Sequence, residues 1–179
     1  MPKQVFYKIN EDRRHKLLKP ALVEFVTKPY DKVTVLSLTT TMDILRTDFY
    51  YYFSDKEDIY GAILEDLKTL VSKGHESLTA GEAIAVLFDK VLEIKGARNR
   101  QFTLDITENY HPQFAYEGAK RLLQMFPCNC DPEKAQVKTM IKIYRFMTVT
   151  NQYLKGSLSK EKAIEIMHHV PGDKGCCQK

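Results

Sequence analysis

Helical periodicity is the feature that most constrains what this chain can fold into. Apolar residues recur at spacings of three and four along most of its length, a pattern that marks one face of a helix. Only 8 glycines and 7 prolines interrupt the 179 residues. Few chain breakers over this length favour long helices over many short strands. The sequence therefore predicts an all-α fold without internal repeats.

Two short helices near the N-terminus are the most informative part of this pattern. The first four predicted helices cover residues 11–27, 35–41, 45–53 and 54–73. Asn10 and Thr34 can cap the first two, and Ser54-Asp55-Lys56-Glu57 has the form of a capping box. The second and third helices are joined by a tight turn, which predicts a helix-turn-helix. In such a unit the second helix braces the third, and the third lies in the DNA major groove.

The second part of the chain continues with helices. They are predicted over residues 79–96, 97–108, 112–126, 131–154 and 160–170. Asp131-Pro132 is a strong start signal, with Asp as the cap and Pro at the first helical position. The helix that follows is apolar around much of its circumference, which predicts that it is buried on most sides. Residues 171–179, which begin with Pro-Gly, are predicted to form a flexible tail.

A motif in the first part resembles a known family. Residues 49–59 read Phe-Tyr-Tyr-Tyr-Phe-Ser-Asp-Lys-Glu-Asp-Ile, an aromatic-rich helix end followed by a polar spacer, Lys-Glu and an aliphatic residue. Together with Thr34-Val35 at the start of the second helix, this stretch resembles the TetR family of transcription regulators over roughly 50 residues. Asp43 stands where the family usually has Gly, and Asp tolerates the left-handed conformation. Leu45 stands where a capping Ser or Thr is usual.

The resemblance implies an N-terminal helix-turn-helix DNA-binding domain over residues 1–54. Its long fourth helix would join it to a helical ligand-sensing and dimerisation domain over residues 55–170, in which the last two helices pair with a second copy. A homodimer would place two recognition helices roughly 34–36 Å apart on a near-palindromic operator. The implied function is a ligand-responsive repressor that binds double-stranded DNA.

The predicted DNA contacts follow from position on the third helix. Arg46, Thr47 and Asp48 lie at its exposed start. There Arg46 could read guanine, and Thr47 a base edge or a thymine methyl group. Asp48 repels phosphate, so it would have to face a cytosine amino group or point aside. Phe49 and Phe53, four residues apart, share the packed face and are structural.

Further DNA contacts are implied by the resemblance alone. They place Tyr50 and Lys56 on phosphates, and Tyr51 and Tyr52 at the DNA surface. Thr34 and the amide groups at the start of the second helix would contact phosphates from the other side.

A pocket for a small apolar effector would lie between the middle helices. Its predicted lining residues are Phe88, Leu92, Phe102, Ile106, Phe114, Met125, Met140, Tyr144 and Met147. Met and aromatic side chains suit an adaptable apolar pocket. Residue by residue, filling a core is the favoured explanation of the same side chains.

Other functional classes have weaker support. Net charge is only +4 and is spread along the chain, so bulk charge permits DNA binding without requiring it. The four cysteines are Cys128, Cys130, Cys176 and Cys177. They lack the Cys-x-x-Cys spacing of structural zinc sites, so we expect no metal and no cofactor, with metal or redox sensing left open. We also expect no catalysis, because no Gly-rich phosphate loop, nucleophile elbow or His-Glu-x-x-His motif occurs.

The expected setting is cytoplasmic. The N-terminus has no apolar signal segment, and no stretch is long and apolar enough for a membrane span. The alternative to a DNA-binding regulator is an interaction protein of TetR-like fold that acts through a protein partner, with weak or no DNA binding of its own. The missing cap at Leu45 and the acidic Asp48 motivate it.

Overall fold

The fold is all-α, as the sequence predicts. The computed structural model describes residues 1–75 and 77–168, and all regular secondary structure in them is helical. The helices are α1 (Gln4–Tyr7), α2 (Glu11–Thr27), a 3₁₀ turn (Tyr30–Lys32), α3 (Val35–Met42), α4 (Arg46–Tyr52), α5 (Lys56–Ser72), α6 (Ala80–Leu92), α7 (Ala97–Asn109), α8 (Pro112–Met125), α9 (Pro132–Leu154) and α10 (Lys160–His168).

The first compact unit spans Met1–Thr69 and has its own core. Aromatic rings from four helices meet there, with Phe49 of α4 and Phe53 directly after α4 fully buried. The first turns of α5 contribute Ile59, Tyr60 and Ile63 to the same cluster. We call this unit the head. Because these residues of α5 belong to its core, the head extends past the predicted domain boundary at residue 54.

The helix starts in this unit are set by side-chain caps. Asn10 accepts a hydrogen bond from the Arg13 amide at 2.8 Å, which confirms the predicted cap of α2. The predicted box at the start of α5 is wrong by one residue. Asp55, not Ser54, accepts the amide of Asp58 at 2.9 Å, and the Asp58 carboxylate accepts the Ser54 amide at 2.9 Å.

Helix α1 was not predicted. Its Phe6 is buried, and its ring centroid lies 5.0 Å from that of Phe53. The Lys3 amide donates to the Tyr52 carbonyl at 2.9 Å, which fixes the segment to the end of α4. With four residues, α1 is too short for a periodic apolar pattern to identify it.

The second compact unit begins at Leu70. Within it α9 packs against α6, α7, α8 and α10. The predicted cap of α9 is confirmed, because Asp131 accepts the Lys134 amide at 2.9 Å. At α6, Thr79 and Glu82 form a capping box that the sequence analysis did not name. Helix α6 ends at Leu92, short of the predicted Gly96, which instead precedes α7 with a φ of +86°.

One face of α9 departs from the prediction of burial on most sides. Val137 and Ile141 are 54% and 52% exposed, although Ile143, Met147 and Leu154 are buried. The neighbouring helices of the unit cover the buried face and leave Val137 and Ile141 open, so an apolar strip remains on the surface.

Two further points bear on the predicted organisation. The predicted tail over residues 171–179 and the last two residues of the predicted final helix lie outside the described residues. Among the helices of the described part, none combines the length and the apolar composition that crossing a bilayer requires.

Candidate nucleic-acid interface

The start of α3 is held by a reciprocal cap. The Ser37 amide donates to Thr34 Oγ1 at 3.1 Å, and the Thr34 amide donates to Ser37 Oγ at 3.0 Å. Thr34 is exposed, as a phosphate contact requires, but its hydroxyl oxygen already serves its own helix. Its predicted cap is confirmed.

The turn between α3 and α4 is a left-handed C-cap. Asp43 has φ +53° and ψ +50°, the conformation for which the sequence required a tolerant residue. The Ile44 amide returns to the Thr39 carbonyl at 3.1 Å, and the Asp43 amide reaches the Thr40 carbonyl at 3.3 Å. These two hydrogen bonds hold the turn and so fix where α4 begins.

Helix α4 has one packed face and one open face. Phe49 is fully buried, whereas Arg46, Thr47 and Asp48 in the first turn are exposed. No side chain caps the helix, because Leu45 occupies the cap position, as its apolar side chain predicts. Arg46 Nη2 lies 3.4 Å from Tyr50 Oη, and the Arg46 Cζ lies 5.6 Å from the Tyr50 ring centroid. The ring thus supports the guanidinium at the open face.

The three consecutive tyrosines separate into two environments. Tyr50 and Tyr51 are 38% and 57% exposed. Tyr52 is buried, so the expectation that it lies at the DNA surface is wrong. Its ring centroid lies 6.4 Å from that of Phe6, and it follows Phe49 by three residues, which places it on the packed face. The spacing between Phe49 and Tyr52 could be seen in the sequence, but the contact of Tyr52 with Phe6 of α1 could not.

Lys56 is directed inward, which corrects its expected role as a phosphate contact. Its Nζ donates to the backbone carbonyls of Tyr30 at 2.8 Å and Val33 at 3.1 Å, and lies 4.5 Å from the Tyr30 ring centroid. Tyr30 also donates its hydroxyl to Glu57 and stacks on Phe25 at 5.8 Å. Lys56 therefore fixes the segment that leads into α3.

A buried carboxylate ties α2 to α3. Glu24 accepts hydrogen bonds from Lys28 Nζ at 2.6 Å and Thr41 Oγ1 at 3.2 Å. Burial on its own would raise the pKa of Glu24, but hydrogen bonds from Lys28 and Ser37 outweigh it, and the pKa is lowered. Glu24 is thus ionised in the folded head and holds α3 in place behind α4.

Sequence reasoning missed three residues on the open side of the head. Leu36 and Leu45 are 69% and 70% exposed, unusual values for leucine. Lys3 Nζ donates to the Tyr50 carbonyl at 2.5 Å and so adds a cation at the end of α4. The sequence could have indicated that Leu36 is exposed, because it lies two residues before the core residue Leu38 and residues two apart in a helix do not share a face. We call the exposed set the α3–α4 surface: Thr34, Leu36, Leu45, Arg46, Thr47, Asp48, Tyr50 and Tyr51.

The second unit has a cleft that the sequence did not predict. A cleft of about 160 Å³ opens between α6, α9 and α10, and its walls include Ile84, Lys142, Arg145 and Met167. None of the nine predicted lining residues borders this cleft. Phe88 and Met147 are buried, and the Tyr144 hydroxyl donates to the Pro112 carbonyl at 3.0 Å.

Core packing accounts for Phe88, Met125 and Met147, in line with the explanation that the sequence favours for these residues. Met125 packs on a small core of Val71, Ala80, Ala83 and Phe126. Met140, Leu92, Phe102, Ile106 and Phe114 are half-buried and do not border the cleft.

Two of the four cysteines lie in the described residues. Cys128 and Cys130 are half-buried in the segment between α8 and α9, and Cys176 and Cys177 lie outside the described residues. In residues 1–75 and 77–168, no group of three or more His, Cys, Asp or Glu side chains is arranged to hold a metal ion.

Comparisons with known proteins add no assignment. No family model matches the chain, and no curated protein matches it.

Proposed function

We propose that this protein is a sequence-specific DNA-binding transcription regulator that acts as a homodimer, in the manner of a ligand-responsive repressor. The observation that carries the proposal is the open first turn of α4, with Arg46 and Thr47 exposed on a helix whose opposite face is buried. A short helix, held from behind and open at its start, is the arrangement with which helix-turn-helix proteins enter the major groove.

The support for base reading lies in how rigidly that turn is held. Phe49 and Phe53 fix the back of the helix, and the left-handed turn at Asp43 fixes its start. A guanidinium supported on the Tyr50 ring is preorganised to present its fork to the O6 and N7 atoms of guanine. Tyr50 and Tyr51 would contact the sugar-phosphate backbone beside it.

Dimerisation is supported by the apolar strip on α9. Two aliphatic side chains of one helix, Val137 and Ile141, are more than half exposed four residues apart. Such a strip is suited to pairing with its own copy across a two-fold axis. The pairing would bring two heads to one near-palindromic site.

The test is DNA binding by wild type, Arg46→Gln and Lys68→Gln, measured by fluorescence anisotropy with DNA from upstream of the protein's own gene and with random DNA. Lys68 is exposed on α5, about 18 Å along the helix from Lys56, and its substitution makes the same change in charge. We expect Arg46→Gln to weaken specific binding by about 1–3 kcal/mol, and Lys68→Gln to leave it unchanged. Equal binding to both DNAs by a folded dimer would refute the proposal.

A second candidate is an interaction protein, favoured by the exposure of Leu36 and Leu45. Two leucines about 70% exposed on the α3–α4 surface would suit an apolar partner helix. The salt dependence separates the candidates, because phosphate contacts release counterions and make the affinity fall as salt rises. A folded dimer without salt-dependent DNA binding, whose protein partner is lost on Leu45→Ser, would support this second candidate.

A further inference from the structure

The cleft between α6, α9 and α10 is electrically asymmetric. Arg145 of α9 is half-buried in its wall, and in residues 1–75 and 77–168 no carboxylate pairs with its guanidinium. The other charged residues are engaged: Glu82 accepts the Thr79 amide at 2.7 Å, and His168 Nε2 lies 3.0 Å from Asp89 Oδ1. A half-buried guanidinium without an anion is costly, and an incoming carboxylate would relieve that cost.

The remaining walls define what else the ligand must carry. Ile84, Ala85 and Met167 also line the cleft, and the first and last of these are buried. The Lys142 ammonium lies against Gly81 of α6, where a Cβ atom would clash with its Nζ. The cleft thus has a cationic end and an apolar wall within one cavity. A volume of about 160 Å³ is close to that of an engineered cavity that holds benzene.

We propose that this cleft binds a small organic carboxylate, with the carboxylate on Arg145 and a ring or short aliphatic group against Ile84, Ala85 and Met167. The ligand is therefore amphipathic and anionic, not the purely apolar molecule that the sequence suggested. The site does not depend on the proposed DNA binding, so the two can fail separately.

The probe is benzoate, measured by isothermal titration calorimetry on the full chain. Two further ligands separate the contribution of the charge from that of the ring. Benzamide keeps the ring and size of benzoate but has no charge, and acetate keeps the charge but has no ring. We expect saturable benzoate binding, with benzamide and acetate each weaker by about tenfold. Benzamide binding as tightly as benzoate would overturn the role of Arg145, and acetate binding as tightly would overturn that of the apolar wall.

Variants locate the site. Arg145→Gln should weaken benzoate binding by at least about tenfold, because a charge-assisted bidentate pair is lost. Lys134→Gln, an exposed position on the same helix, is the matched control and should leave binding unchanged. Ala85→Leu should fill the cleft and abolish binding while the helical circular dichroism is retained. Wild type without saturable binding up to tens of millimolar benzoate, or Arg145→Gln equal to wild type, would refute the site.

Discussion

Lys56 offers the sharpest test of the head structure, because its two possible roles predict opposite results. In the structure its ammonium donates to two backbone carbonyls, at 2.8 and 3.1 Å, and lies 4.5 Å from the centre of the Tyr30 ring. Lys56→Met keeps the length of the stem and removes every one of these interactions. Hydrogen bonds from a charged donor contribute about 1.5–3 kcal/mol when buried, and a cation–π contact about 0.5–1 kcal/mol when exposed.

The site is only half-buried, so water will replace part of what is lost. We therefore expect Lys56→Met to lower the free energy of unfolding by about 2 kcal/mol, and the midpoint of thermal unfolding by about 4–8 °C. Circular dichroism at increasing temperature and urea measures both. Lys68→Met, exposed on the same helix, should stay within about 0.5 kcal/mol of wild type.

DNA binding completes this test. If Lys56 has the structural role, the salt dependence of DNA affinity keeps its slope in Lys56→Met at temperatures where the variant is folded. A variant as stable as wild type, with a slope reduced by about one phosphate contact, would show that the ammonium faces DNA and that the inward placement is wrong.

The other predictions concern a buried carboxylate, the turn and the dimer strip. The pKa of Glu24 is lowered in the folded state, so its contribution to stability is present above the pKa of the unfolded chain, about 4.3, and is lost as the pH falls through the lower folded value; Glu24→Gln should remove this acid dependence in urea unfolding followed from pH 6 to 3. At Asp43, with φ +53°, the order of stability in the same assay should be Gly above Asp above Val, with Val lower than Asp by about 1–2 kcal/mol, and Val equal to Asp would contradict the left-handed turn. Ile141→Glu should shift the chain from dimer to monomer in sedimentation equilibrium, whereas Gln124→Glu, exposed on α8, should not; two monomeric or two dimeric proteins would place the interface elsewhere.

The sequence predicted local features correctly where the residue type at a position has a single structural role. Asn10, Thr34 and Asp131 cap the helices that the sequence assigns to them, because short polar side chains before an apolar run have few other roles. Asp43 adopts the left-handed conformation for the same kind of reason. The packed face of α4 followed from the spacing of Phe49 and Phe53.

The predictions that failed concern residues whose environment is set by contacts between segments distant in sequence. Tyr52 is buried because α1 brings Phe6 against it, and α1 carries no periodic signal. Lys56 turns inward because the carbonyls of Tyr30 and Val33, at the start and just past the end of a 3₁₀ turn, lie within hydrogen-bond distance of its ammonium. The cleft on the second unit needs residues from α6, α9 and α10, and no spacing within one helix could assemble it.

The number of cations on the open side of the head determines how steeply the DNA affinity should fall as the salt concentration rises. On the open side, Arg46 is the cation of α4, and Lys3 is held at the end of that helix by the Tyr50 carbonyl. Asp48 opposes them, and Lys56 is directed inward. A dimer would thus bring about two to four cations to the DNA, with Lys3 beside phosphates and Arg46 at the bases, so the logarithm of affinity should fall with the logarithm of salt with a slope of about −2 to −4. Anisotropy titrations at several salt concentrations measure this slope. A slope well beyond −5 would mean that lysines and arginines of α2 also reach the backbone, and that the α3–α4 surface is only part of the interface.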